Sequence, residues 1–166
     1  MNAMPGKRSS LWYFLVLAVL AVVAMVSLVM YNMARQLKPE QLAAARALWK
    51  EKGPKSYQLS YKIKIGLDVE PDYYVVRVRN GEVVSSTRNE RPEEKRLYGE
   101  RGMDAIFDWI QDFQDLAAKP KQPRTYLFGS FDPATGAVRK YVRRVMGGSE
   151  RLEITVEPLE QLEESP

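Results

Sequence analysis

Residues 56–87 read SYQLSYKIKIGLDVEPDYYVVRVRNGEVVSST, and the order of apolar and polar residues in them decides the fold. From Ser56 to Ile65, Tyr57, Leu59, Tyr61, Ile63 and Ile65 fall on one side of an extended chain, and Gln58, Ser60, Lys62 and Lys64 on the other. A period of two with one apolar side marks a strand that is wet on one face. Gly66 to Asp72 holds Pro71 and reads as a turn. Tyr73 to Arg79 is a second strand, with Tyr74, Val76 and Val78 alternating with Val75, Arg77 and Arg79. Asn80-Gly81 then suits a type I′ hairpin, whose two central residues both need positive φ. Glu82 to Thr87 returns as a third strand. Hairpin connections imply an antiparallel sheet.

Toward the C-terminus, Arg88 to Arg101 lacks periodicity, contains Pro92 and Gly99, and reads as an exposed, mobile loop. Gly102 to Lys119 changes to helical spacing. Ile106, Ile110, Phe113 and Ala117 share one face, and Asp104, Asp108, Asp112 and Asp115 lie on the other. Three strands follow, at Arg124–Phe131, Ala137–Met146 and Arg151–Glu157. The turn at Gly147-Gly148-Ser149 bears on register. A three-residue loop there sets Val142 against Ile154, Arg143 against Glu153 and Arg139 against Glu157. A two-residue loop would set Arg143 against Leu152. Opposite charges across strands contribute about 0.2–1 kcal/mol each, which favours the odd-length loop.

Toward the N-terminus, PEQLAAARALWKEK begins at Pro39 and stops at Gly53-Pro54. Pro fits the first helical turn, and Leu42, Ala45, Leu48 and Trp49 form one apolar stripe. Before it, Leu11 to Tyr31 runs without a charge or a proline. About 20 such residues cross a hydrocarbon core of roughly 30 Å. Trp12, Tyr13 and Phe14 stand at one end and Met30 and Tyr31 at the other, with Leu20 near the middle, as in a span with interfacial aromatics. The run is longer than a cleaved signal sequence needs. The reading is therefore a single-pass anchor in the lipid bilayer of a bacterial inner membrane, with a cytoplasmic N-terminus and an extracytoplasmic domain. It gives a short tail over 1–10, an anchor over 11–33, a juxtamembrane helix over 34–54, an α+β domain over 55–158 and an acidic tail over 159–166. The domain pattern is α-β-β-β-α-β-β-β, with helices on one face of the sheet.

The 166 residues include no His and no Cys. That composition excludes Ser-His-Asp chemistry, catalytic thiols, disulfides and His- or Cys-based metal centres. No phosphate loop or S-x-x-K motif occurs. The expectation is a non-enzymatic domain without cofactor or metal. Its expected contact, besides the bilayer, is an unidentified membrane or envelope protein, and not nucleic acid. The net charge of +4 averages a body of +7 over 35–149 and a tail of −5 over 150–166. Arg139, Lys140, Arg143 and Arg144 form the candidate contact for an anionic partner, although Glu153 and Glu157 could neutralise them on a solvated sheet face. The aspartates of the second domain helix read as a solvated stripe, and the acidic tail as a solvated end. An alternative is a small-ligand or lipid site lined by Tyr57, Tyr61, Tyr74, Phe107 and Trp109, although aromatic sets of this kind more often fill a core. A carboxylate-dependent hydrolase is a third reading that no motif supports.

Several segments resemble a bacterial family of small exported or membrane-tethered domains of unknown function. They are Trp49 with Pro54–Tyr57, Tyr74–Val83, Met103–Ile110, Phe131-Asp132-Pro133 with Gly136, and Glu153–Val156, within Leu48 to Leu162. The resemblance implies a fold and a location but no catalytic residues. Cysteines often carried by that family in the first hairpin are absent from Gly66–Pro71.

Overall fold

A computed structural model describes residues 8–34 and 36–162, with side chains at 12–28, 30, 36–97 and 99–162. The chain divides into two units, Met1–Gln36 and Leu37–Pro166.

The first unit holds helix α1, Arg8–Ala34. On it Trp12, Tyr13, Phe14, Leu20 and Met30 are exposed. Among the described residues, no helix is long and apolar enough to cross a membrane. This corrects the expected anchor over 11–33, and with it the single-pass inner-membrane location. The side chains of Leu11 and Tyr31, and most of the 1–10 tail, lie outside what is described.

The second unit is α+β. Helix α2 is Pro39–Lys52, and its first turn is closed by the Lys38 N–H donating to Gln41 Oε1. Strands β1 (Tyr57–Ile65), β2 (Asp72–Arg79) and β3 (Glu82–Arg88) follow as the alternation requires. Asn80 and Gly81 take φ of 52° and 81°, as their hairpin turn demands. Helix α3 is Met103–Ala118, and β5 (Thr125–Phe131), β6 (Val138–Val145) and β7 (Arg151–Val156) complete the main sheet. With the two-residue strand β4 (Arg91–Pro92) at one edge, the strand order is β4-β3-β2-β1-β7-β6-β5, with every described pair antiparallel.

Both domain helices cover the face that carries Tyr57, Leu59, Tyr61, Val76 and Tyr141. Trp49 of α2 meets Tyr57 edge-on at 5.4 Å, and Phe113 of α3 stacks on Tyr141 at 6.2 Å. Leu42, Trp49, Ile106, Phe107 and Ile110 are buried against this face, as the two helical stripes anticipate. Burial of each such side chain contributes about 1.5–3 kcal/mol. At the turn between β5 and β6, Gly136 (φ 78°) lies so close to α2 that a Cβ there would overlap the Ala45 carbonyl oxygen.

Three expectations change. Arg88–Arg101 is ordered. It forms a two-residue strand, β4 (Arg91–Pro92), and a 3₁₀ helix, Lys95–Glu100, held by the enclosed Arg101–Glu93 ion pair. The acidic tail is partly docked, because β8 (Glu160–Gln161) pairs with Tyr57 and Gln58 of β1. Glu163 and Glu164 lie outside the described residues. Third, the β6–β7 loop is even, not odd. The Val145 N–H donates to the Glu150 carbonyl, Tyr141 faces Ile154 and Arg143 faces Leu152. Tyr141 and Ile154 are both buried, and the register that buries them outweighs charge pairs worth about 0.2–1 kcal/mol.

Candidate functional site

That register separates the four cations expected to act together. Cross-strand partners share a face. Arg143 pairs with the buried Leu127 and therefore lies on the helix side. Its guanidinium sits 5.2 Å from the Phe113 ring centre and 3.6 Å from Glu150. Arg139 is the extra residue of a bulge, since Ser130 faces Lys140 while Phe131 faces Val138. It donates to Asp132, whose carboxylate also accepts the Ala134 and Thr135 N–H groups. The Arg139 bond, then those two backbone bonds, holds the Asp132 carboxyl down at about 2. Only Lys140 and Arg144 of the quartet project from the open face.

The open face can be read row by row from the register. One row runs Tyr126, Arg144, Arg151. The next runs Phe128, Val142, Glu153, Lys64, and the third Ser130, Lys140, Thr155, Lys62, Tyr73. Lys64, Lys140, Arg144 and Arg151 thus surround one carboxylate, Glu153. Lys140 bridges it at 2.6 Å and Arg151 at 2.9 Å. These two bonds, Lys140 first, hold the Glu153 carboxyl below its usual range. Lys62 bridges Glu157 at 3.5 Å. Among the described residues, Arg144 and Lys64 make no ion pair. Arg144 and Arg151 stand directly opposite each other, an arrangement in which like charges destabilise. Arg151 and Lys64 escape a sequence search because each belongs to a different strand, and only the pairing brings them together.

The aromatic set occupies the core. Tyr57, Tyr61, Tyr74 and Phe107 are buried, and Trp109 packs against them half-buried. Tyr61 and Tyr74 stack at 4.9 Å, and the Arg101 guanidinium lies 5.0 Å from the Tyr74 ring centre. Arg101 and Glu93 are joined by two bonds of 2.8 and 2.9 Å, and Ser86 Oγ donates to the same carboxylate at 2.6 Å. The bonds from Arg101 hold the Glu93 carboxyl below its usual range. Burial pushes the Tyr61 phenol up, and pushes that of Tyr57 up to about 12. This polar lock was not legible in the sequence, because Glu93 and Arg101 sit in an aperiodic stretch. The described hollows lie elsewhere. One of about 400 Å³ is bordered by Asp132, Arg139 and Leu159, and another of about 550 Å³ by Arg88, Arg91 and Glu93. Tyr57 alone of the aromatic set borders a third. The four aspartates of α3 are exposed along its outer side, with Asp108 paired to Arg46.

The model of a family of unknown function (DUF6174) matches residues 41–121, which runs from α2 through α3. The match agrees with the resemblance to an uncharacterised domain. It carries no bacterial origin and no membrane tether. No curated protein matches the chain.

Proposed function

We propose that the second unit is a non-enzymatic interaction domain that recognises an anionic macromolecule, a protein or an envelope component, through the open face of its sheet. One observation carries the reading. Both helices pack on the same face, and the uncovered face presents Lys62, Lys64, Arg77, Lys140, Arg144 and Arg151 against three carboxylates, Glu153, Glu157 and Glu160, the last held by Gln58. Complementary potentials of this kind steer and orient a partner. The filled aromatic core supports surface recognition over an internal ligand cavity.

A photocrosslinking residue placed at Thr155, central in the open face, tests the reading against the same residue at Asp112 on the outer side of α3. The expected result is capture of an acidic macromolecule from Thr155 that fades as salt is raised, and none from Asp112. Capture from Asp112 alone, or capture indifferent to salt, overturns it.

A further inference from the structure

We propose that Arg144, Arg151 and Lys64 form a binding site for a phosphate-class dianion on the open face of the sheet. The proposal rests on the reading of that face as the recognition surface and names the group recognised there.

The backbone fixes the placement. Arg144 and Arg151 are cross-strand partners on β6 and β7, so their Cα atoms are about 5 Å apart and their side chains rise from the same face. Lys64 faces Glu153, two residues beyond Arg151, which makes Lys64 and Arg151 diagonal neighbours at about 7–8 Å. Three cations therefore converge on one patch of strand surface. Their neighbours on every adjoining strand are known. Tyr126 flanks Arg144 on β5, and Phe128 and Val142 fill the next row. Lys140 adds a fourth positive charge.

The local acids do not balance them. Glu153 is shared between Lys140 and Arg151. Glu150, next to Arg151 in sequence, reaches Arg143 on the helix side. Two arginines opposed across a ladder repel each other, and nothing in the fold requires them there, since neither contributes to the core. A dianion between the two guanidinium forks converts the repulsion into charge-assisted hydrogen bonds. The planar fork of arginine suits a multi-oxygen anion better than lysine would. A tetrahedral phosphate offers oxygens to both forks and to the Lys64 ammonium at once. A single carboxylate has two oxygens and one charge, and Glu153 already supplies that. Tyr126 beside Arg144 offers a ring against which the organic part of a phosphate monoester can rest.

Equilibrium dialysis of the full chain against radiolabelled inorganic phosphate tests the site, with phenyl phosphate and acetate as competitors at constant ionic strength. Saturable phosphate binding is expected, with acetate competing poorly. Arg144→Ala and Arg151→Ala should each weaken it about tenfold or more, as loss of one charge-assisted bond implies. Arg144→Lys should fall between, because it keeps the charge and loses the fork. Arg77→Ala removes the same charge from the same face, beside Gln58 and away from the site, and should leave binding unchanged. Phenyl phosphate competing more strongly than inorganic phosphate assigns the site to an ester carried by a partner. Equal or weaker competition assigns it to the free ion. Binding that fails to saturate, acetate competing as well as phosphate, or Arg77→Ala losing as much as Arg144→Ala overturns the proposal. Phosphate binding that persists while crosslinking from Thr155 fails overturns the recognition role of the face and leaves the site standing.

Discussion

On the helix side of the sheet, Arg101 and Arg143 are drawn into the protein. On the open side, Arg144 and Arg151 face each other in water. Arg101 is 12% exposed and its partner Glu93 7%, and the pair is tied to Tyr74 and Ser86. Arg144 is exposed and has no ion-pair partner among the described residues. The contrast separates two uses of one side chain. An enclosed arginine is committed, because removing its partner leaves a buried charge. An exposed one is available, because water already solvates it.

The largest expected effect therefore lies on the helix side. Arg101→Ala strands the Glu93 carboxylate and should destabilise the domain by about 3–5 kcal/mol in urea unfolding. The double variant Arg101→Met with Glu93→Leu removes both charges and should recover most of that loss. If Arg101→Ala costs no more than Arg151→Ala, the two sides do not differ as described.

Next comes Gly136→Ala. The residue has φ of 78°, and its added methyl would meet the Ala45 carbonyl in α2. Backbone strain and overlap together should cost about 1–3 kcal/mol, read as a lower urea midpoint. The same change at Gly81 meets nothing within 4 Å, so only the strain remains and the cost should be smaller.

Acid separates an enclosed ion pair from an exposed one by a different route. Glu93 and Asp132 are both held below their ordinary ranges in the folded protein, first by Arg101 and Arg139 respectively. A depressed folded pKa gives stability that is complete above the unfolded value, near 4.5 for Glu93 and 3.8 for Asp132. It is lost as pH falls through the folded value, which for Asp132 is about 2. Unfolding midpoints followed from pH 7 to pH 2 should therefore drop below about pH 4.5. Glu93→Gln should flatten that drop more than Asp132→Asn, since Arg139 is largely exposed and water screens its pair.

The sequence speaks clearly where period and turn chemistry agree. Tyr57–Ile65 alternates, Asn80-Gly81 turns, and Ile106–Phe113 covers a sheet, each within a residue or two of its observed bounds. It misleads where two weak signals compete. Salt bridges favour one β6–β7 register, but burial of Tyr141 and Ile154 sets another, and the bulge at Arg139 shifts the alternation along β6. Arg143 therefore turns to the helix side, beside Phe113. The Glu93–Arg101 lock joins two residues eight positions apart through tertiary packing, and no local period can mark such a pair. The open-face site needs the order β1-β7-β6, which places strands next to each other that are distant in sequence. The apolar run at the N-terminus shows the limit of composition. Composition alone reads as a span, and no helix among the described residues is long and apolar enough for one.

The smallest effect is also the one that distinguishes availability from commitment. Arg144→Ala removes an exposed guanidinium from opposite Arg151, so it should leave stability unchanged or raise it by a few tenths of a kcal/mol at low salt. The gain should vanish at about 1 M salt, where the Debye length is roughly 3 Å. At one phosphate concentration the same variant should gain less than the unaltered chain, which should unfold at a higher urea concentration as phosphate occupies the folded state. An Arg144→Ala chain that is less stable than its parent by more than 1 kcal/mol would show that Arg144 is held by the fold. It would then belong with Arg101 and not opposite it.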